Sequence, residues 1–196
     1  LEIDTAPFNF GQVDGDQFTP YQFDPVGYIR DKLGWEPWRS GDVDNPGQVE
    51  VLESYTLALR QMHERLAWEN GEKTEGQLIC WQVGEPIQNR IRVEAGHGVG
   101  KTKLASGITS HFFDCFAPSI VYTFAPTWHQ VHNLLWKEIR ADRDGKQLRG
   151  DVLKGKPAIT YTGDHFATGL ATSDNHGLGT ERAQGQHGKY LLFILD

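Results

Sequence analysis

Long apolar runs are missing from this sequence of 196 residues, and none of its hydrophobic stretches approaches the roughly 20 residues a helix needs to cross a bilayer. No membrane span or secretory leader is expected. Cysteine is scarce too. Cys80 and Cys115 are the only two, both in apolar surroundings and without metal-ligand spacing, which predicts reduced thiols in a cytoplasmic compartment. Internal repeats and low-complexity tracts are absent. So is any general excess of positive charge: 26 acids face 19 bases for a net charge of -7, and residues 1–50 alone hold ten acids and three bases. This excludes a protein that grips nucleic acid by bulk charge, where each neutralised phosphate releases counterions. Any DNA contact is expected to be local or transient, and only Lys137 to Lys156, with seven bases against four acids, offers a local excess.

What is present is the composition of a globular domain, 38% hydrophobic and 23% charged. A chain of this length buries roughly 70% of the surface its unfolded form exposes, enough for a core without disulfides. Residues 1–46 are rich in Asp, Pro, Gly and aromatics and read as an acidic, irregular arm with one short helix near Pro25 to Leu33. From residue 47 to 196 the pattern becomes regular. Leu52, Tyr55, Leu59, Met62 and Leu66 share one helical face, with Asn45 as cap, Pro46 in the first turn and Asn70-Gly71 at the end. IRVEA (91–95) reads as a strand, residues 101–116 as a helix and SIVYTFAP (119–126) as a second strand. A further helix from Thr127 to about Asp144 has Val131, Leu134, Leu135 and Ile139 on one face. AITYTG and HFATGLAT form a strand pair turning near Gly163-Asp164, and LLFIL (191–195) reads as a final buried strand. The alternation predicts an α/β fold with a mainly parallel central sheet flanked by helices.

AGHGVGKT at 95–102 matches the phosphate-binding loop pattern except at its first position, where Ala95 replaces Gly. The glycines Gly96, Gly98 and Gly100 free the backbone to turn successive N–H groups toward phosphate oxygens, and the following helix adds its positive end. The expected cradle comprises Gly96, His97, Gly98, Val99, Gly100, Lys101, Thr102 and Lys103. The side chain of His97 is expected to face solvent rather than act as a base. Lys101 supplies the charge for the β- and γ-phosphates, and Thr102 the hydroxyl for Mg²⁺. A strand before and a helix after the loop mark it as a P-loop NTPase that binds ATP with Mg²⁺. Asp196, at the end of the last apolar run, is expected to hold the metal's water shell. His129 and His132, three apart on a helix, lack an evident third metal ligand and read as exposed or packed histidines.

With those residues in place, the sequence resembles the ATPase domain of the large terminase subunit, the DNA-packaging motor of tailed bacteriophages. The segments PGQVEVL, VEAGHGVGKTKLASGI, YTFAPTWHQVHNLLWKEIR and GLATSDNHGLGTERAQGQHGKYLLFILD carry the resemblance and span most of residues 46–196 in the family's order. It implies an ATPase that couples hydrolysis to translocation of double-stranded viral DNA into the capsid. The motor would act as a homo-oligomeric ring docked on the portal protein, with the small terminase subunit as partner, in the cytoplasm of the infected bacterial host. Lys101 and Thr102 would match the family's nucleotide lysine and magnesium ligand, and Asp196 its magnesium-associated acid. Gln48 would match a glutamine that reads adenine, or be an ordinary first-turn helix residue. Arg182 stands where an arginine reaches a γ-phosphate in its own or a neighbouring subunit, with a solvated loop residue as the alternative.

Two family features fall outside the sequence: the glutamate following the strand-end aspartate, which orients the attacking water, and the C-terminal nuclease domain. Leu1 in place of Met, and an apolar run ending on Asp196, fit a piece of a longer protein. Impaired hydrolysis and no nuclease activity are therefore expected. Two other readings stand beside the motor: another P-loop DNA-dependent ATPase of helicase type, and a nucleotide-binding assembly module without useful catalysis.

Overall fold

The computed structural model describes residues 16–42, 44–96, 98–173 and 188–195. Its element order begins with a 3-10 turn (Thr19–Tyr21), α1 (Pro25–Tyr28) continuing into a π-helical turn (Ile29–Leu33), and α2 (Gln48–Glu69). A second 3-10 turn (Glu75–Gln77) precedes α3 (Lys101–Cys115), and β1 (Ser119–Ala125) follows it. Then come α4 (Trp128–Gln130), a π-helical turn (Val131–Leu135), α5 (Trp136–Arg143), β2 (Asp151–Val152), β3 (Ala158–Thr162), β4 (His165–Ala171) and β5 (Tyr190–Leu195).

The strands form one five-stranded sheet in the order β2-β3-β4-β1-β5. β1 runs parallel to both neighbours, pairing Ile120 with Phe166 on one side and with Leu191 on the other. All seven of its residues are buried, as a strand covered on both faces and paired on both edges requires. The other two ladders, β3 with β4 and β2 with β3, are antiparallel. The sheet is therefore mixed and not mainly parallel. The cause is local: a connection as short as Gly163-Asp164 can return the chain only antiparallel, and β2 extends that wing.

Three further expectations are corrected. Residues 91–95 are not a strand; they belong to no ladder, Ile91 and Val93 stand 38% and 40% exposed, and Arg92 pairs with Glu94 in solvent. Alternating apolar residues supply a face, but a strand is held by a neighbour's backbone, and none among the described strands pairs with this one. β5 is not fully buried. It forms a sheet edge, with Leu191, Phe193 and Leu195 exposed. The helix after β1 is interrupted by its π-helical turn, whose extra residue shifts the buried face from Leu134, 45% exposed, to Trp136. Trp136 then packs where Gly169 offers no Cβ, and its indole N–H donates to the Thr123 hydroxyl at 2.8 Å.

α3 is the central helix, with ten of its fifteen residues buried. The N-terminal segment seats directly on it: a Cβ at Gly107 would lie 2.8 Å from Ile29 Cδ1 and 3.1 Å from the Trp35 ring. Tyr28, Ile29 and Leu33 share one core with Leu52, Tyr55 and Leu59 of α2 and Phe112 and Phe113 of α3. Buried polar groups lock this contact. His111 bonds the Tyr21 carbonyl through Nε2 (2.7 Å) and the Tyr55 hydroxyl through Nδ1 (3.1 Å), and burial lowers its pKa from 6.5 to about 4. Asp114 accepts from the Tyr28 hydroxyl (2.5 Å) and from Arg143 (3.0 Å), while Arg149 reaches both the Asp114 carbonyl (3.1 Å) and the Asp16 carboxylate. Burial pushes the Asp114 carboxyl up, against the pull of Arg143.

Candidate functional site

The segment leading into α3 turns through two left-handed glycines, Gly98 at φ 81° and Gly100 at φ 83°. Gly100 is the residue preceding the helix, so the amides of the first turn open toward the loop rather than toward a capping side chain. A fifteen-residue helix adds its dipole at that end. Lys101, its first residue, folds its ammonium back onto the loop, donating to the carbonyls of Ala95 and of Gly96 (3.1 Å). The Thr102 hydroxyl makes no hydrogen bond among the described residues, although it lines the same hollow. Lys101 and Thr102 are the first two residues of α3, directly after the glycine loop. His97, Arg182 and Asp196 lie outside the described residues.

Two adjoining hollows share Gly96, Gly100 and Lys101. One, of about 220 Å³, is walled by Trp38, Val51, Val93, Val99 and Leu104, with Asn45 and Gln48 as its amide groups. The other, of about 340 Å³, is lined by Gly98, Thr102, Lys103 and Glu138. Together they span the size of a small-ligand site, whose pockets measure about 300–1,000 Å³. The lobes differ in chemistry: the first sets Trp38 and aliphatic side chains beside the carboxylates of Asp44 and Glu94, and the second has the Thr102 hydroxyl, the Lys101 and Lys103 ammonium groups and the Glu138 carboxylate.

Gln48 is nearly buried, and its amide bridges two elements: Nε2 donates to the Gly100 carbonyl (3.2 Å) and Oε1 accepts from the Trp38 N–H (3.3 Å). The cap of α2 is Gly47 and not Asn45, because the Glu50 carboxylate turns back to take the Gly47 N–H at 2.9 Å. The same carboxylate accepts from Gly41 (3.0 Å) and Ser40 (3.4 Å), and Val49 donates to the Trp38 carbonyl (3.2 Å). These bonds mount Trp38 over the loop, where its indole N–H reaches the Val99 carbonyl at 3.4 Å.

At the second hollow, Lys103 projects from the first turn of α3 to Asp142 and to Glu138 (3.3 Å), both on α5. Asp142 is buried and also accepts from the Ser106 hydroxyl at 2.7 Å. Burial pulls the Lys103 ammonium down, but the two carboxylates outweigh it and its pKa stands raised. These ion pairs turn Glu138 and Asp142 toward α3, whereas Asp144 and Asp151 of the same stretch stay exposed beside Lys137, Lys154 and Lys156. Among the described residues no group of three or more metal-ligating side chains occurs. His132 instead packs near Trp128, with ring centroids 5.8 Å apart.

Trp38 and Glu138 are site residues that the motif does not disclose. No local pattern marks Trp38. For Glu138 a signal exists, since it and Asp142 are four apart on α5 and share one face. Compared with known proteins, the chain matches no family model, no curated protein and no solved structure.

Proposed function

We propose that this chain is an ATP-binding P-loop motor domain of the kind found in large terminase subunits, coupling ATP hydrolysis to movement of double-stranded viral DNA. The observation that carries the nucleotide part is the loop itself: two left-handed glycines, a lysine and a threonine hydroxyl with no partner among the described residues, at the open N-terminus of a long helix. That constellation suits a triphosphate, because uncapped first-turn amides, a helix dipole and one full positive charge lie together at the start of α3. The packaging role rests on the segments quoted above, of which β1, α4, α5 and β5 form the sheet centre and the elements around it.

The chain's residues divide the work. Lys101 leaves the carbonyls of Ala95 and Gly96 for phosphate oxygens, which carry formal charge and bind an ammonium more strongly than neutral carbonyls do. In this reading Thr102 would offer its hydroxyl and Asp196 its carboxylate to Mg²⁺, which would supply charge compensation for the phosphates. Arg182 is the candidate for charge compensation in its own or a neighbouring subunit. Gln48 and the Trp38 side of the loop face the base. Double-stranded DNA, the portal protein, the small terminase subunit and further copies in a ring are the proposed partners, in the host cytoplasm and on the procapsid. No described helix is long and apolar enough to cross a membrane.

Calorimetric titration tests the first step: MgATP binds the wild-type chain, and Lys101→Ala loses that binding while its urea midpoint stays put. Equal affinity in both proteins removes Lys101 from the site. ATP turnover stimulated by blunt duplex without strand displacement supports packaging, whereas strand displacement would move the assignment to a helicase.

A further inference from the structure

We infer that Glu138 is the residue through which this site admits ATP as its metal complex and rejects the free nucleotide. This rests on the nucleotide-binding reading above but goes beyond its residues, since Glu138 comes from a helix that the phosphate-loop motif does not include.

Glu138 lines the second hollow beside Thr102, Lys101 and the loop glycines. Its carboxylate lies 3.3 Å from Lys103, yet Lys103 does not depend on it. Asp142, with its side chain 3% exposed, already neutralises that ammonium and is itself fixed by Ser106. Glu138 is different. Its side chain is 36% exposed, and one of its oxygens makes no hydrogen bond among the described residues. A carboxylate with a spare oxygen, facing the mouth of a phosphate-binding loop, is costly for binding if the incoming anion is bare. Free ATP brings about four negative charges, and a half-solvated carboxylate lining the same hollow repels them by enough to change affinity about tenfold.

A divalent cation reverses the sign. Mg²⁺ takes hard oxygen ligands, keeps several waters, and is usually held by one or two protein oxygens together with the substrate's phosphates. Thr102 and Glu138 present such oxygens to one hollow, the threonine directly and the carboxylate as acceptor for metal-bound water. Lys103 keeps Glu138 turned toward α3, so the carboxylate is in place before the nucleotide arrives. Glu138 is therefore a specificity-determining residue, setting the ratio between metal-bound and metal-free affinity.

The experiment measures ATP affinity by calorimetry with excess Mg²⁺ and again with EDTA, for the wild-type chain, Glu138→Gln and Glu138→Ala. In both variants free ATP should bind about tenfold more tightly than in wild type, while MgATP affinity holds or falls, so that the ratio of the two affinities contracts about tenfold or more. An unchanged ratio in Glu138→Gln overturns the inference and leaves nucleotide binding intact. A ratio altered by Glu138→Ala but not by Glu138→Gln also overturns it, because charge would then not be the cause. If the wild-type chain binds ATP in neither condition, the inference and the reading beneath it fall together.

Discussion

Replacing Gly100 by alanine perturbs the site twice, and the two parts can be separated. The first is conformational: at φ 83° a residue with a Cβ costs roughly 1–2 kcal/mol. The second is a collision. A Cβ at Gly100 would stand 2.6 Å from Gln48 Nε2, which forces the buried amide off both its partners, the Gly100 carbonyl and the Trp38 N–H. Two neutral hydrogen bonds at about 1 kcal/mol each bring the total to about 3–4 kcal/mol. Gly98 is the internal control, because its φ of 81° is nearly the same but a Cβ there meets no atom within 4 Å. Gly98→Ala should therefore cost only about 1–2 kcal/mol. Urea unfolding of the two variants should show a gap of about 2 kcal/mol, and that gap should vanish when Gly100→Ala is made in a Gln48→Ala background. Equal costs for the two glycines, or a gap that survives removal of Gln48, would refute the bridging role of that side chain.

Glu64, nearly buried, accepts the backbone N–H groups of Ile79 (3.0 Å), Cys80 (2.7 Å) and Trp81 (2.9 Å), so Glu64→Ala should destabilise the chain by about 3 kcal/mol. Hydrogen exchange should then accelerate at those three amides first, and unchanged protection there would count against the anchor. His111 is held neutral by burial, its pKa about 4 in the fold against 6.5 when exposed. For a depressed histidine the stabilisation is complete above pH 6.5 and drains away as pH falls toward 4, about 3 kcal/mol in all. Urea midpoints between pH 7 and pH 4.5 should drop less in His111→Gln than in wild type, and parallel slopes would refute the assignment. Duplex DNA should bind this chain weakly and release as salt rises, since only exposed bases such as Lys137, Lys154 and Lys156 oppose a net charge of -7. Fluorescence anisotropy across a salt series checks this, with salt-resistant binding as the contrary result.

The loop at 95–102 was legible because its pattern is written in local backbone chemistry: glycines where φ must be positive, followed at once by the lysine and the threonine. β1, β3, β4 and α3 were legible for a similar reason, since each carries its own period and its own terminating residues. What escaped was whatever depends on a partner. Residues 91–95 have the alternation of a strand, but pairing is a property of two segments. β2 is two residues long and carries no period at all. The π-helical turn at Val131–Leu135 moves a face without altering composition, so Leu134 and Trp136 exchange roles unseen. Within the site, Gln48 was singled out from the sequence, but its bridge to Trp38 and Gly100 joins residues brought together only by the fold. Glu138 was missed, although its spacing to Asp142 could be read, because nothing in the sequence says which way that face turns.

The bonds joining Asp16, Tyr21 and Tyr28 to Arg149, His111 and Asp114 have a practical consequence for anyone wishing to shorten this protein. Trimming to a chain that begins at Gln48 would strip the lid from Leu52, Phe112 and Phe113 and leave His111 and Asp114 each short of a partner. A carboxylate and an imidazole deprived of hydrogen bonds in a dry interior destabilise by several kcal/mol, a large part of what a domain of this size has to spare. The smallest piece that folds should therefore retain the chain from Asp16, even though the glycine loop before α3 lies about 80 positions further along.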